Sequence, residues 1–311
     1  MTVYPVDQAF ALHAGAVFLH SDGRPADALE PCRTALAILE RECGATHPDV
    51  ARVLLTLGSL YEELAMHADA EAALRQADDV LEHYARERDP SLIRLRVQAR
   101  SRRAGLSRAT GALERAELSY LQAIELADRE LGHHDDVLAS VLDGLGLVYV
   151  EAGRLTDAER VWRRALGIAP DDVDAQRHLA ALELRRGRFE VGIPHARRVL
   201  DHTAEAADMA VLAALLEGAG RTVEAEALFL QAVSRQPDQA CWWDRLGGLA
   251  AALGDSSEAE HRFRQALLLK EREHGPDHPE VAATLQYLGV LLAGLGRVDE
   301  AVVLLYRAHD L

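Results

Sequence analysis

One pattern returns along nearly the whole chain and restricts its fold more than any other feature. The segment 142-LDGLGLVYVEAGRLTDAERVWRRAL-166 lines up with 243-WDRLGGLAAALGDSSEAEHRFRQAL-267 and with 285-LQYLGVLLAGLGRVDEAVVLLYRAH-309. Each carries a large apolar residue, then Leu-Gly, a second glycine, an alanine, an apolar or aromatic residue and a final alanine. In the clearest copy these are Leu142, Leu145, Gly146, Gly153, Ala158, Trp162 and Ala165. A unit this short cannot bury its apolar face alone, so a chain written this way must stack its units on one another.

With the final alanine as a ruler, copies fall at Ala35, Ala77, Ala123, Ala165, Val199, Ala232, Ala266 and Ala308, separated by 42, 46, 42, 34, 33, 34 and 42 residues. The pattern resembles the tetratricopeptide repeat, a helix-turn-helix unit, over almost all of the chain. Spacings near 34 match the standard repeat, and those near 42 the longer form of the kinesin light chain subgroup. The resemblance implies an all-α fold, a right-handed superhelical solenoid of about eight antiparallel helix pairs. The expected units of a single domain, 1–311, are 9–47, 48–90, 91–134, 135–171, 172–204, 205–238, 239–278 and 279–311. The sequences HPDVA from His47 and HPEVA from His278 mark where a long second helix ends and the next first helix begins, because proline tolerates a helix start and resists continuation.

Gly58, Gly146, Gly247 and Gly289 fall mid-helix, where glycine costs about 1 kcal/mol against alanine, which points to close helix packing. Ala70, Ala158, Ala225, Ala259 and Ala301 are expected to face them, with Tyr61, Trp162, Phe229 and Phe263 filling wider gaps. The fifth unit departs most: Gly192 and Val199 replace the two alanines, and Pro194 sits inside the expected second helix.

Composition narrows the function. A formal charge of −16 argues against a surface that neutralises nucleic-acid phosphates or anionic lipid. Of 34 basic residues only Lys270 is lysine, and there is no asparagine, a skew that fits a GC-rich bacterial genome. Cys32, Cys43 and Cys241 suit a reducing compartment and read as small buried hydrophobes. The first 21 residues lack a charged leader and do not read as a signal peptide, and no apolar run reaches membrane-spanning length. These features point to a cytoplasmic protein.

No phosphate-binding loop, nucleophile elbow or His-Glu-x-x-His motif occurs. His133, His134, Asp135 and Asp136, and the pairs Cys43/His47 and His274/His278, lie at repeat junctions without metal-ligand spacing, and read as loop residues and helix caps. Neither an enzyme, a metal site nor a cofactor is expected. Trp243 occupies the repeat's own apolar position.

A protein-interaction scaffold is the leading expectation, since stacked helix pairs present an extended groove lined by their first helices; a ligand-responsive regulator is the alternative. Groove positions counted from the repeat include Arg52, Ser59, Glu62, Arg102, Asp143, Arg177, His178, Asp244, Arg245 and Gln286. Arg94, Arg96, Arg100, Arg102, Arg103 and Arg108 share one predicted helix, and with Arg177 and Arg245 would suit an acidic protein or peptide, because guanidinium forks pair with carboxylates. The alternative is pairing with carboxylates of the chain itself. The lysine and asparagine clamp of chaperone-tail receptors in this superfamily has no counterpart here, with no lysine expected in the groove. The last helix carries Val302, Val303, Leu304 and Tyr306 where earlier copies are polar, an expected interface with a partner or a second copy as a homodimer.

Overall fold

The computed structural model describes residues 4–311; the first three residues of the segment read as carrying no signal peptide lie outside them. Sixteen α-helices and no strand occur among the described residues. They are α1 (Pro5–Ser21), α2 (Pro25–Cys43), α3 (Pro48–Glu63), α4 (His67–Glu82), α5 (Pro90–Ala109), α6 (Leu113–Glu130), α7 (Val137–Glu151) and α8 (Leu155–Ile168), followed by α9 (Val173–Arg185), α10 (Phe189–His202), α11 (Ala206–Gly218), α12 (Thr222–Arg235), α13 (Ala240–Ala252), α14 (Ser256–His274), α15 (Pro279–Gly294) and α16 (Val298–Asp310). Each odd-numbered helix packs antiparallel against the even-numbered helix that follows it. The pairs divide into two compact bodies, one ending at Asp172 and one spanning Val173–Leu311. Within each body a second helix packs on the first helix of the next pair. No described helix is long and apolar enough to cross a membrane.

Local chemistry sets the helix starts. Pro48, Pro90 and Pro279 stand at first helical positions, where the missing N–H costs nothing. The residue before each proline caps the helix: His47 Nδ1 accepts from Asp49 N at 3.3 Å, Asp89 Oδ1 from Ser91 N at 2.8 Å, and His278 Nδ1 from Glu280 N at 3.2 Å. At the third junction Asp135 Oδ1 plays the same part toward Val137 N at 3.2 Å. Within seven of the eight pairs the turn places a glycine in the left-handed region, as at Gly153 with φ 74°, and in five of them an arginine follows. Four of these arginines return to the acid three residues on, as when Arg154 Nε reaches Asp157 at 2.9 Å and Arg221 Nε reaches Glu224 at 2.7 Å.

The mid-helix glycines are explained by packing, with one correction to their partners. A Cβ at Gly247 would lie 2.6 Å from Phe263, at Gly289 2.7 Å from Leu305, and at Gly58 2.5 Å from Leu74; at Gly146 it would strike Trp162. The side chain that meets each glycine is therefore the large residue sixteen positions on, rather than one of the alanines. In the fifth repeat Gly192 takes the small position because Leu215 would stand 2.7 Å from its Cβ, and α10 runs continuously through Pro194.

The cysteines differ from the sequence expectation. Cys32 is buried, with its thiol pushed up to about 12 by burial, but Cys43 and Cys241 are exposed, each near a helix end where the packed face gives out.

Candidate functional site: the first-helix faces

In the first body, polar residues bridge successive first helices. His13 Nε2 meets Thr56 Oγ1 at 2.9 Å, His20 meets Glu63 at 2.6 Å, Arg102 donates to Ser59 Oγ, and Arg108 Nη1 donates to Glu151 at 2.6 Å. Between Arg102 and Arg108 lies Glu62, whose Oε1 is buried without a hydrogen-bond partner. Burial raises the pKa of this carboxyl and the two arginines oppose the rise. Arg52 lies exposed near Asp49, at 3.8 Å.

The arginine cluster of α5 does not form one surface. Arg102 turns to α3, whereas Arg96, Arg100 and Arg103, at i, i+4 and i+7, turn to the second helices α4 and α6. There they line a 310 Å³ cavity with Asp78, Asp79, Glu82, Ser119 and Gln122. Arg96 and Arg100 are thus not brought together with Arg102, because a twenty-residue helix packed on four neighbours spreads its charges around its circumference. Most of the cluster is engaged within the chain: Arg94 donates to Asp135 at 2.7 Å, and Arg103 pairs with Asp78.

In the second body Arg177, read as open to a ligand, grips Asp208 in a fork, Nε to Oδ1 at 2.8 Å and Nη2 to Oδ2 at 3.2 Å, and reaches Asp174 at 2.6 Å. Thr203 Oγ1 also donates to Asp208, at 2.8 Å. Burial works against the charge of Asp208, which is 4% exposed, but the Arg177 and Thr203 hydrogen bonds outweigh it and hold its pKa below the usual carboxylate range. His178 is half-buried on the same helix, and Gln286 is exposed on α15.

Two cavities adjoin along the first helices α9, α11, α13 and α15 of the second body. One, of 470 Å³, is lined by Leu184, Phe189, Ala214, Glu217, Gly218 and Arg245. The other, of 420 Å³, shares Glu217 and Arg245 and adds Cys241, Asp244, Gly248, Phe263, Lys270, Ala283 and Tyr287. The shared pair, 3.3 Å apart, forms the partition. Asp244 accepts from Lys270 Nζ at 2.6 Å and from Thr284 Oγ1 at 2.9 Å. A lysine therefore does reach this face, contrary to expectation: it stands on the second helix α14, and its four-carbon stem carries the ammonium through to α13 and α15. Lys270, Thr284, Gly248 and Tyr287 were not singled out as site residues by the repeat register, and the chain's single lysine was the signal that could have flagged the first of them.

On α16, Val302, Val303 and Tyr306 are 43%, 67% and 69% exposed. Leu304 is not part of that strip, because it is half-buried against the core with Leu267.

These helix pairs match known sequences and folds. Tetratricopeptide repeat profiles match residues 7–82 and 238–311, and a second profile of the same repeat matches 144–210 and 182–240. Tetratricopeptide repeat protein 8 of Caenorhabditis elegans is 26% identical over 165 residues, 52% of this chain and 31% of the relative, so the chain spans about a third of that relative's length. Among solved structures, a tetratricopeptide repeat protein from Parabacteroides merdae is 16% identical with a TM-score of 0.52, covering 84% of this chain and 92% of its own. YrrB, described as a TPR protein with an unusual peptide-binding site, is 19% identical with a TM-score of 0.53, covering 65% of this chain and 95% of its own. The repeat in the sequence, the paired helices and these matches agree, and the chain belongs to the tetratricopeptide repeat superfamily.

Proposed function

We propose that the protein is a non-catalytic interaction scaffold that holds a segment of another protein on its first-helix faces. The observation that carries this reading is the pair of adjoining cavities along α9, α11, α13 and α15, which share Arg245 and Glu217. Together they make a continuous, partly apolar surface of the kind that takes neighbouring side chains of an extended segment. The fold relative YrrB, whose description includes a peptide-binding site, supports the class of ligand. The segment need not be acidic, since Arg177, Arg102 and Arg245 have partners in the chain itself. A second contact surface, on Val302, Val303 and Tyr306, is proposed for a partner or a second copy of the chain.

Peptide selection on the immobilised full chain tests the scaffold reading. Peptides displayed on phage are enriched, synthesised and titrated by calorimetry against wild type and against Arg245→Glu and Tyr287→Ala variants. The expected result is enrichment of peptides whose binding weakens about tenfold or more in either variant, the scale of one lost interface residue. Failure to enrich any peptide, or binding indifferent to both substitutions, would overturn it.

A further inference from the structure

The 420 Å³ cavity falls within the range of pockets that enclose a small ligand or one large side chain, about 300–1,000 Å³. We propose that it is a specificity pocket for one uncharged apolar side chain, aromatic or branched aliphatic, of the segment held on this face; the inference rests on the scaffold reading above and adds the residue class that is selected. Three observations lead there.

The first is the wall. Phe263 and Tyr287 stack with ring centroids 5.7 Å apart and planes 29° apart, and Tyr287 is 53% exposed. An exposed ring backed by a buried one gives an entering apolar group a firm surface to cover.

The second is charge. Each charged side chain lining the cavity already faces an opposite one: Lys270 with Asp244 at 2.6 Å, and Arg245 with Glu217 at 3.3 Å. A charged entrant would give up hydration without gaining an unpaired counter-ion, whereas an apolar one sheds only water.

The third is Gly248. Its neighbour Gly247 is explained by Phe263, 2.6 Å from where its Cβ would stand, but a Cβ at Gly248 meets nothing within 4 Å. Glycine weakens a helix interior, and here no close packing accounts for it. What the missing side chain does is leave the cavity open.

Cys241 lines the cavity and is exposed, so its alkylation reports occupancy, with exposed Cys43 in the other body as the internal standard. Burial and the Asp244 carboxylate push the Cys241 thiol up, so the reaction with iodoacetamide is run at alkaline pH and followed by peptide mass spectrometry. The probes are the N-acetyl amides of leucine, tryptophan, glutamate and arginine. The expected result is saturable slowing at Cys241, about threefold or more at the highest concentration, by leucine and tryptophan amides only, as mass action on a filled site requires. Cys43 should react at an unchanged rate. Gly248→Leu and, should that variant fail to fold, Ala283→Leu should each abolish the slowing by filling the space. Absence of slowing, equal slowing by the charged amides, or slowing that survives the filling substitutions would overturn the pocket. A selected peptide that binds yet leaves Cys241 unprotected would sink the pocket and keep the scaffold; a protected Cys241 with no selectable peptide would do the reverse.

Discussion

Among the described residues, seven of the eight turns within helix pairs place a glycine in the left-handed region, from Gly23 at φ 72° to Gly296 at φ 80°, and the second repeat places Ala65 there at φ 56°. An L-residue in that region carries a penalty of about 1–2 kcal/mol, of which glycine's greater freedom in the unfolded chain takes back about 0.4–1. Ala65→Gly is therefore expected to stabilise the protein by about 0.5–1 kcal/mol in urea unfolding. Asp208 leads to a pH-dependent expectation. Its folded pKa is lowered, so its pairing with Arg177 stabilises the native state above the ordinary carboxylate pKa and is lost as pH falls through the lowered one. Asp208→Asn should cost about 1.5–3 kcal/mol at neutral pH, the worth of hydrogen bonds to a charged group. The difference from wild type should shrink as unfolding is measured below about pH 4. A constant difference at every pH would show that the charge is not what matters.

At the scale of the element, legibility followed how local the cause was. His47, Pro48, His278 and Pro279 announce helix starts in adjacent residues, because a cap and a proline act within two positions, and α3 and α15 begin there. The Asp89-Pro90 junction uses the same device with a different acceptor, and the His-Pro pattern did not reach it. The arginines of α5 show the opposite limit. Which way Arg96 or Arg102 points depends on the docking of α3, α4 and α6, and partners such as Ser59 lie 43 residues away. No periodicity in the helix itself distinguishes the two directions, since its charges run around its whole circumference. Lys270 escaped for a related reason: its backbone belongs to a second helix, but its ammonium belongs to the first-helix face.

For the whole molecule, a formal charge of −16 keeps copies apart through mutual repulsion, so an apolar strip has to overcome that repulsion to hold two chains together. Val302, Val303 and Tyr306 share one side of α16, and a contact there predicts concentration-dependent dimers in sedimentation velocity that Val303→Glu with Tyr306→Glu converts to monomers. Wild type that stays monomeric throughout would leave only a different protein as the occupant. Lys270 carries one further consequence. It is the chain's single lysine, a buried residue whose amine donates to Asp244 and Thr284. Its side chain also borders the 420 Å³ cavity, so a group that fills the cavity would shield this nitrogen as well, and the rate at which an ester acylates it is a second, chemically independent gauge of whether the space is taken.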